Sequence, residues 1–270
     1  MNEKLRISTM TQIGKLSVPI DLRELYLVLD VNNIIRYIEY GDEIPKGDSL
    51  KKEKKEKKAN KAKKKKEKIK KNENKPSGRK PYFYNQVTLH VYIGKIINMK
   101  IFNNGRIQMT GLKSETMGTE AIQHLLDILL NLKEETRIKI CLNDTSIPKL
   151  IETNIVLINS DFDIGFKIDR ENLHRSIIEK GYYSSFEPCI YPGVNIKYYH
   201  HPLVKNYGIC SCDNPCNGKG KENTCKKITI AVFNSGKIII TGGQTLEHIH
   251  LAKDFITKFI NEKRELFEIK

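Results

Sequence analysis

The chain has 270 residues, of which 39% are hydrophobic, and it carries a formal net charge of +15 at pH 7 with a pI near 9.4. This apolar content is enough for one large domain or two small ones. No segment approaches the roughly 18 continuous apolar residues of a membrane span, and the N-terminus lacks a signal-peptide pattern, so we expect a soluble intracellular protein that contacts no membrane. The basic excess then favours nucleic acid as the partner.

The first half of the chain predicts, in order, a strand, a helix, a strand, a hairpin and a closing helix. These elements correspond to residues 5–13, PIDLRELYLVL (19–29), VTLHVYI (87–93), IFNNGRIQMTG (101–111) and residues 115–132. A lysine-rich segment at 51–80 interrupts the series and has almost no core-forming residue. We interpret it as an insert that is either a solvated spacer or a segment that holds phosphates.

The second half predicts the same series again. Its elements are residues 153–162, KIDRENLHRSI (167–177), GVNIKYY (193–199), VFNSGKIIITG (232–242) and residues 245–267. Because the two hairpin sequences are so similar, we infer an internal duplication in which each copy is one structural unit.

The spacing between the copies locates the inserts. Asp21 and Asp169 are 148 positions apart, whereas Gly105 and Gly236 are 131 apart, so the first copy contains the longer insert. The predicted domains are a first repeat at 1–133, interrupted by a lysine-rich insert at about 46–80, and a second repeat at 134–270, with a cysteine-rich insert at about 200–226.

Alternation along the hairpin strands sorts their side chains onto two faces. One face is apolar in both copies and should pack under the closing helices: Met99, Ile101, Ile107 and Met109, then Ile230, Val232, Ile238 and Ile240. The other face mixes cations, hydroxyls and one phenylalanine per copy: Lys100, Phe102, Arg106, Gln108 and Thr110, then Ala231, Phe233, Lys237, Ile239 and Thr241. We expect this second face to bind an anionic polymer, the alternative being that Phe102 and Phe233 are core residues.

The two hairpin sequences, together with YSSFEPCIYPG (183–193), resemble the TATA-box-binding protein family over nearly all of the chain outside the inserts. The resemblance implies an α+β fold, a pseudo-symmetric saddle of two repeats with a curved antiparallel sheet and helices on the convex face. In that family the concave sheet lies in the DNA minor groove and pairs of aromatic rings wedge between base steps. The two inserts further resemble versions encoded by large cytoplasmic DNA viruses.

The resemblance assigns roles to particular residues. The wedging rings would be Phe102 with Tyr84 or Phe83 in the first half, and Phe233 with Tyr191 in the second. Base edges would meet Asn154, Thr110, Thr241, Val156, Ala231 and Ile239, and phosphates would meet Lys197, Arg106 and Lys237. Glu187 would lie on the edge contacted by a B-type general transcription factor, where Cys189 replaces an acidic residue of the family.

The first half departs from the family pattern. Arg6 and Ser8 stand where the family has asparagine and valine, and Lys100 and Gln108 replace apolar groove-facing residues. Only a G·C pair offers an amino donor in the minor groove, and Gln108 can accept that bond. We therefore expect the N-terminal half to be less strict for A·T than the C-terminal half.

Four of the six cysteines, Cys210, Cys212, Cys216 and Cys225, are grouped within the second insert. They are enough for one tetrahedral zinc, and the alternatives are reduced thiols on a mobile loop or a disulfide. No cofactor is otherwise required.

The sequence leaves three functions open. We expect a non-enzymatic, monomeric factor that bends promoter DNA and recruits the polymerase machinery through the B-type factor or a viral equivalent, in the nucleus or in a cytoplasmic viral factory. A related saddle that binds RNA or acts as a protein scaffold is the second reading. A metal-dependent nuclease built on Asp161, Asp163 and Asp169 is the third.

Overall fold

The computed structural model describes residues 4–48, 82–142, 147–213, 216–221 and 223–269. The chain divides into two compact units: the N unit, Gln12–Asn154, and the C unit, Met1–Thr11 with Ile155–Lys270. These units do not coincide with the predicted repeats 1–133 and 134–270, because the long opening strand of each repeat begins in one unit and ends in the other. The predicted lysine-rich insert at 51–80 lies outside the described residues.

The N unit contains an antiparallel sheet with strand order β3-β2-β4-β5-β6-β1. Its strands are β1 (Arg6–Leu16), β2 (Ile35–Tyr40), β3 (Lys46–Gly47), β4 (Gln86–Tyr92), β5 (Ile96–Phe102) and β6 (Arg106–Leu112). Its helices are α1 (Leu22–Val28), α2 (Glu115–Leu130) and α3 (Glu134–Ile140). Lys46 and Gly47, placed in the insert by the sequence, belong to this sheet as its edge strand.

The C unit contains an antiparallel sheet with strand order β7-β11-β10-β9-β8. Its strands are β7 (Leu150–Asp163), β8 (Tyr183–Ser185), β9 (Val194–His200), β10 (Lys226–Val232) and β11 (Lys237–Gly243). Its helices are α4 (Arg170–Glu179), α5 (Leu246–Glu262) and α6 (Arg264–Phe267). None of the helices in the described part of the chain is long and apolar enough to cross a membrane.

The matching aspartates of the two repeats begin equivalent helices. The Asp21 carboxylate accepts hydrogen bonds from the backbone N–H groups of Arg23 and Glu24 at the start of α1. Asp169 does the same for Glu171 and Asn172 at the start of α4. An aspartate here satisfies N–H groups that have no partner within the helix. The weak sequence echo therefore marks a shared helix start.

The apolar face predicted for each hairpin is the core of its unit. Met99, Ile101, Ile107 and Met109 have no exposed surface, and neither do their counterparts Ile230, Val232, Ile238 and Ile240. In the N unit α2 packs on β6, and in the C unit α5 packs on β10 and β11. Because the helices cover this side, the opposite side of each sheet, called here the open face, remains for binding.

The turn that joins the two strands of each hairpin is held by backbone hydrogen bonds. In the N unit the carbonyl of Gly105 accepts from Leu16 at 2.9 Å, and in the C unit that of Gly236 accepts from Ile164 at 3.0 Å. Both glycines have positive φ, +77° and +84°. A Cβ at Gly105 would lie 2.3 Å from the Val18 carbonyl oxygen, and one at Gly236 would lie 2.1 Å from that of Phe166. Glycine is required at both turns, which explains why the repeat preserves it.

Candidate nucleic-acid interface

The open face of the C unit carries a row of hydrogen-bonded polar side chains. Strand register places Lys197, Thr229, Thr241 and Asn159 side by side across four strands. The Lys197 ammonium donates to Thr229 Oγ1 at 3.0 Å, and the Thr241 hydroxyl donates to Asn159 Oδ1. Burial, and secondarily the charge of Lys227, lowers the pKa of Lys197. The predicted phosphate contact Lys197 and the predicted base contact Thr241 thus share one row.

The next row of the C unit is apolar at its centre and acidic at its end. Ala231 and Ile239 face each other across β10 and β11, and Ile239 in turn faces Asp161 on β7. Ile239 is 37% exposed, whereas Ala231 is buried. Uncharged, apolar side chains at these positions can contact the edges of A·T pairs, which lack the guanine amino group.

Asp161 does not present a free carboxylate to this face. The Arg6 guanidinium donates to both of its oxygens, from Nε to Oδ2 at 3.0 Å and from Nη2 to Oδ1 at 3.0 Å, and the Ser8 hydroxyl also donates to it. Burial alone would raise the pKa of Asp161, but the bonds from Ser8 and Arg6, with the charges of Arg6 and Lys237, hold it below its ordinary value. The negative charge is therefore neutralised where a polyanion would approach.

Two predicted wedge residues of the C unit come together. The rings of Tyr191 and Phe233 meet edge to face with centroids 5.7 Å apart. A Cβ at the neighbouring Gly193 would lie 3.0 Å from the Tyr191 ring and 3.2 Å from the Phe233 ring. Glycine therefore leaves room for the pair, and Tyr191 is still 41% exposed. Phe233 itself is half-buried, so the pair is a partly exposed apolar contact at the end of β10, beside the hairpin turn.

The open face of the N unit uses the same register with different side chains. Lys100 and Gln108 face each other across β5 and β6, where the C unit has Ala231 and Ile239. Thr88 and Glu39 continue this row on β4 and β2. Thr110 is in the next row, the position that Thr241 has in the C unit. Gln108 and Ile239, the residues for which the sequence predicts a difference between the two halves, therefore occupy equivalent positions in the two sheets.

The aromatic residues of the N unit are arranged differently from those of the C unit. Phe102 is at the end of β5, opposite Gln86. Tyr84 contacts Tyr40 edge to face, with ring centroids 6.3 Å apart, and no ring contact between Phe102 and either Phe83 or Tyr84 is found among the described residues. Phe83 and Tyr84 are more than half exposed. The wedge role of these three residues stays a prediction.

Comparison with known proteins connects this geometry to one family. The sequence model described as "Transcription factor TFIID (or TATA-binding protein, TBP)" matches residues 152–263. A "TATA-box-binding protein-like" protein of Acanthamoeba polyphaga mimivirus is 30% identical over 275 aligned residues, which cover 96% of this chain and 66% of the relative. The chain belongs to the TATA-binding protein family. It spans about two thirds of the length of its mimivirus relative. Because this relative is viral, the match agrees with the expected likeness to versions encoded by large DNA viruses.

The fold agrees with this assignment. Methanococcus jannaschii TBP superposes with a TM-score of 0.51 over 96% of this chain and 99% of the archaeal chain, at 18% sequence identity. The predicted α+β fold of the TATA-binding protein family is therefore confirmed. Since the family is one of DNA-binding proteins and not of enzymes, the prediction of a non-enzymatic chain is confirmed at the level of the family.

The carboxylates considered for a nuclease are engaged elsewhere. Asp161 is held by Arg6 and Ser8, Asp163 accepts a hydrogen bond from the backbone N–H of Gly165 at 2.9 Å, and Asp169 caps α4. Each of these carboxylates therefore already has a hydrogen-bond partner within the protein.

Strand pairing and burial show which residues of β7 face the helices and which face the open side of the sheet. Ile158, Ser160 and Phe162 are buried on the helix side of the sheet, and Val156 has the same parity. Asn159 and Asp161 have the opposite parity and are paired with open-face residues of β11. The base contacts expected of Asn154 and Val156 stay predictions, and Asn159 is the asparagine beside Thr241. The sequence analysis did not single out Asn159, which lies five residues after Asn154 on the same strand.

The remaining predicted residues lie at the margins of the open faces. Arg106 and Lys237 are exposed at the first positions of β6 and β11, directly after the hairpin turns. Glu187 is exposed in the turn that leads to Tyr191, where its carbonyl accepts the N–H groups of Ile190 and Tyr191, both at 2.9 Å. These positions are accessible to phosphate and to a protein partner, respectively.

Proposed function

We propose that this protein is a transcription initiation factor that binds promoter DNA through the minor groove and bends it. Family membership supports a DNA-binding transcription factor in general. The finer proposal rests on one observation, the edge-to-face pair formed by the exposed Tyr191 and the half-buried Phe233 in the C unit.

The surroundings of this pair suit minor-groove binding. Rings that insert between base steps separate the stacked bases, and the duplex bends away from them. Beside the rings, Ile239 and Thr241 offer an apolar and a hydroxyl contact to base edges, while the exposed Lys237 is within the same strand. Cations next to apolar wedges supply the affinity that offsets the cost of unstacking.

Fluorescence transfer across an end-labelled promoter duplex tests the proposal. We expect the full-length protein to raise the transfer efficiency, and Phe233→Ala to abolish most of that rise and weaken binding by roughly tenfold, the scale of one lost base–aromatic contact. Phe102→Ala reports the same property for the N unit.

Tyr207→Ala is the control, because Tyr207 is an exposed aromatic residue in the segment between β9 and β10 and not on a sheet face. Tight binding without bending would contradict the wedge mechanism, as would equal transfer by Phe233→Ala and Tyr207→Ala. Stronger competition by RNA than by duplex DNA would favour the RNA-binding alternative instead.

The proposal includes a protein partner. By the family resemblance, the exposed edge at Glu187 would meet a B-type general transcription factor or a viral equivalent, which then recruits polymerase. Ile190, in the same turn, is 85% exposed and would add apolar contact area. We propose that the protein acts as a monomer on DNA, in the nucleus or in a cytoplasmic viral factory.

A further inference from the structure

The segment that joins β9 to β10 brings four cysteine sulfurs together. The Sγ atoms of Cys210, Cys212, Cys216 and Cys225 all lie within 4.8 Å of one another. The Sγ atoms of Cys210 and Cys216 are 3.3 Å apart. Zinc bound by four thiolates has Zn–S distances of about 2.3 Å, which places the sulfurs of a regular tetrahedron about 3.8 Å apart. The separations of the four sulfurs, 3.3 Å for one pair and no more than 4.8 Å for any pair, bracket this spacing, although the cysteines are up to fifteen positions apart in the sequence.

The backbone on both sides of the cluster is fixed to the sheet of the C unit. Where the segment leaves β9, the Tyr199 N–H donates to the Gly208 carbonyl at 3.0 Å. Where it returns, Lys227 donates to the Gly218 carbonyl at 2.8 Å, and Gly220 donates to the Cys225 carbonyl at 3.1 Å. The described parts of this segment are therefore hydrogen-bonded to the sheet at both ends of the cluster.

The cluster is surrounded by groups that stabilise thiolates. The Cys225 N–H donates to Cys212 Sγ at 3.3 Å, and the Asn206 side-chain amide donates to Cys225 Sγ at 3.5 Å. Four thiolates and one Zn²⁺ have a net charge of −2, and four lysines flank the cysteines in sequence: Lys219, Lys221, Lys226 and Lys227. N–H donors to the sulfurs, and a segment rich in lysine, are both compatible with a tetrathiolate site.

The segment has little apolar core of its own to hold this shape. Its large apolar side chains are exposed, among them Leu203 at 71%, Tyr207 at 67% and Val204 at 52%. Cys225, by contrast, is buried. A segment that cannot bury its apolar side chains usually needs a cross-link or a metal to stay folded.

We propose that Cys210, Cys212, Cys216 and Cys225 bind one structural zinc ion that holds the β9–β10 segment of the C unit in place. The four thiols lose their protons when the ion binds, and no coordination position is left for a substrate. The neighbouring histidines have other contacts: the His200 ring packs on that of His248 at 4.9 Å, and His201 Nδ1 accepts hydrogen bonds from Leu203 and Val204. This proposal is independent of DNA binding.

Metal analysis of full-length protein purified without a histidine tag tests the site. We expect about one zinc per chain in the wild type and in Cys189→Ser, and less than half an equivalent in Cys216→Ser. Cys189 is the matched control because it is exposed and lies outside the cluster. Less than half an equivalent in the wild type overturns the proposal. So does zinc that survives Cys216→Ser, iron in place of zinc, or a disulfide among the four cysteines found by mass spectrometry.

A second measurement uses only the wild-type protein, so it does not depend on whether the Cys216→Ser variant folds. The wild-type protein is treated with a strong zinc chelator and then with trypsin at a limiting concentration. We expect the chelator to speed cleavage at the lysines of 219–227 at least tenfold, with no change at lysines of α5, and added zinc to reverse the effect. Equal cleavage with and without chelator would contradict a structural ion.

Discussion

The contact between Arg6 and Asp161 makes the stability of the C unit depend on pH. Because the folded-state pKa of Asp161 lies below its ordinary value of 3.8, the ionised carboxylate stabilises the folded state above that value, and the stabilisation is lost as the pH falls below it. Arg6 is 72% exposed, so solvent screening limits the contribution to at most about 1 kcal/mol. We expect Asp161→Asn to lower the free energy of unfolding by up to that amount at pH 7 and to have a vanishing effect as the pH falls through the region below 3.8. Urea titrations at a series of pH values measure this difference, and Arg6→Gln should reproduce it.

Gln108 and Ile239 occupy equivalent steps of the two open faces, so exchanging them tests asymmetric reading of DNA. The Gln108 side-chain oxygen can accept a hydrogen bond from the guanine amino group, whereas the Ile239 side chain cannot and is sterically hindered by that group. Selection from random duplexes should return sites in which the half bound by the N unit tolerates G·C. We expect Gln108→Ile to remove that tolerance and Ile239→Gln to create it in the other half, each by about 1–3 kcal/mol per base pair. Symmetric, wholly A·T sites from the wild type would refute the idea.

The hairpin of β5 and β6 depends on the glycine in its turn. Gly105 has a positive φ, and a Cβ there would meet the backbone oxygen of Val18 at 2.3 Å. An alanine adds both backbone strain and a collision with backbone that has no freedom to rotate away. We expect Gly105→Ala to lower the free energy of unfolding by about 1–3 kcal/mol or more, measured by denaturant titration.

Gly94 provides the matched control for Gly105. It also has a positive φ, +63°, but a Cβ there would meet no atom within 4 Å. Gly94→Ala therefore adds the strain without the collision and should cost only about 1 kcal/mol. If the two variants lose equal stability, the contact between the turn and Val18 does not matter.

The elements also show which features can be predicted from a sequence. The hairpin faces were predicted correctly, because they follow from local periodicity. The sequence also predicted helices at 19–29 and 167–177, and the structure shows that Asp21 and Asp169 begin them by bonding to nearby backbone N–H groups. The facing of β7 cannot be predicted in the same way, because LIETNIVLINSDFD has apolar residues at both odd and even positions. Only its pairing with β11 decides that Asn159 is on the open face. The partnership of Arg6 with Asp161, 155 positions apart, likewise has no local signal.

At the scale of the whole molecule, the charge is concentrated in one segment. Residues 51–80 contain seventeen basic and four acidic residues, which is +13 of the total of +15. The remainder of the chain is nearly neutral, at +2. Most of the net positive charge and the residues of the open faces therefore belong to different parts of the sequence, so their contributions to DNA binding can be separated experimentally.

Replacing residues 51–80 with a Gly/Ser segment of the same length should separate affinity from bending. Each phosphate neutralised by a protein changes the slope of log K against log salt concentration by about −0.9. If the lysine-rich segment holds phosphates, we expect the replacement to make the slope shallower by at least about two units, since several counterions are no longer released. At saturating protein, fluorescence transfer across the labelled duplex should remain unchanged, because Tyr191 and Phe233 are intact. An unchanged slope would identify the segment as a solvated spacer. Loss of the transfer signal at saturation would instead mean that charge, and not the aromatic pair, produces the bend.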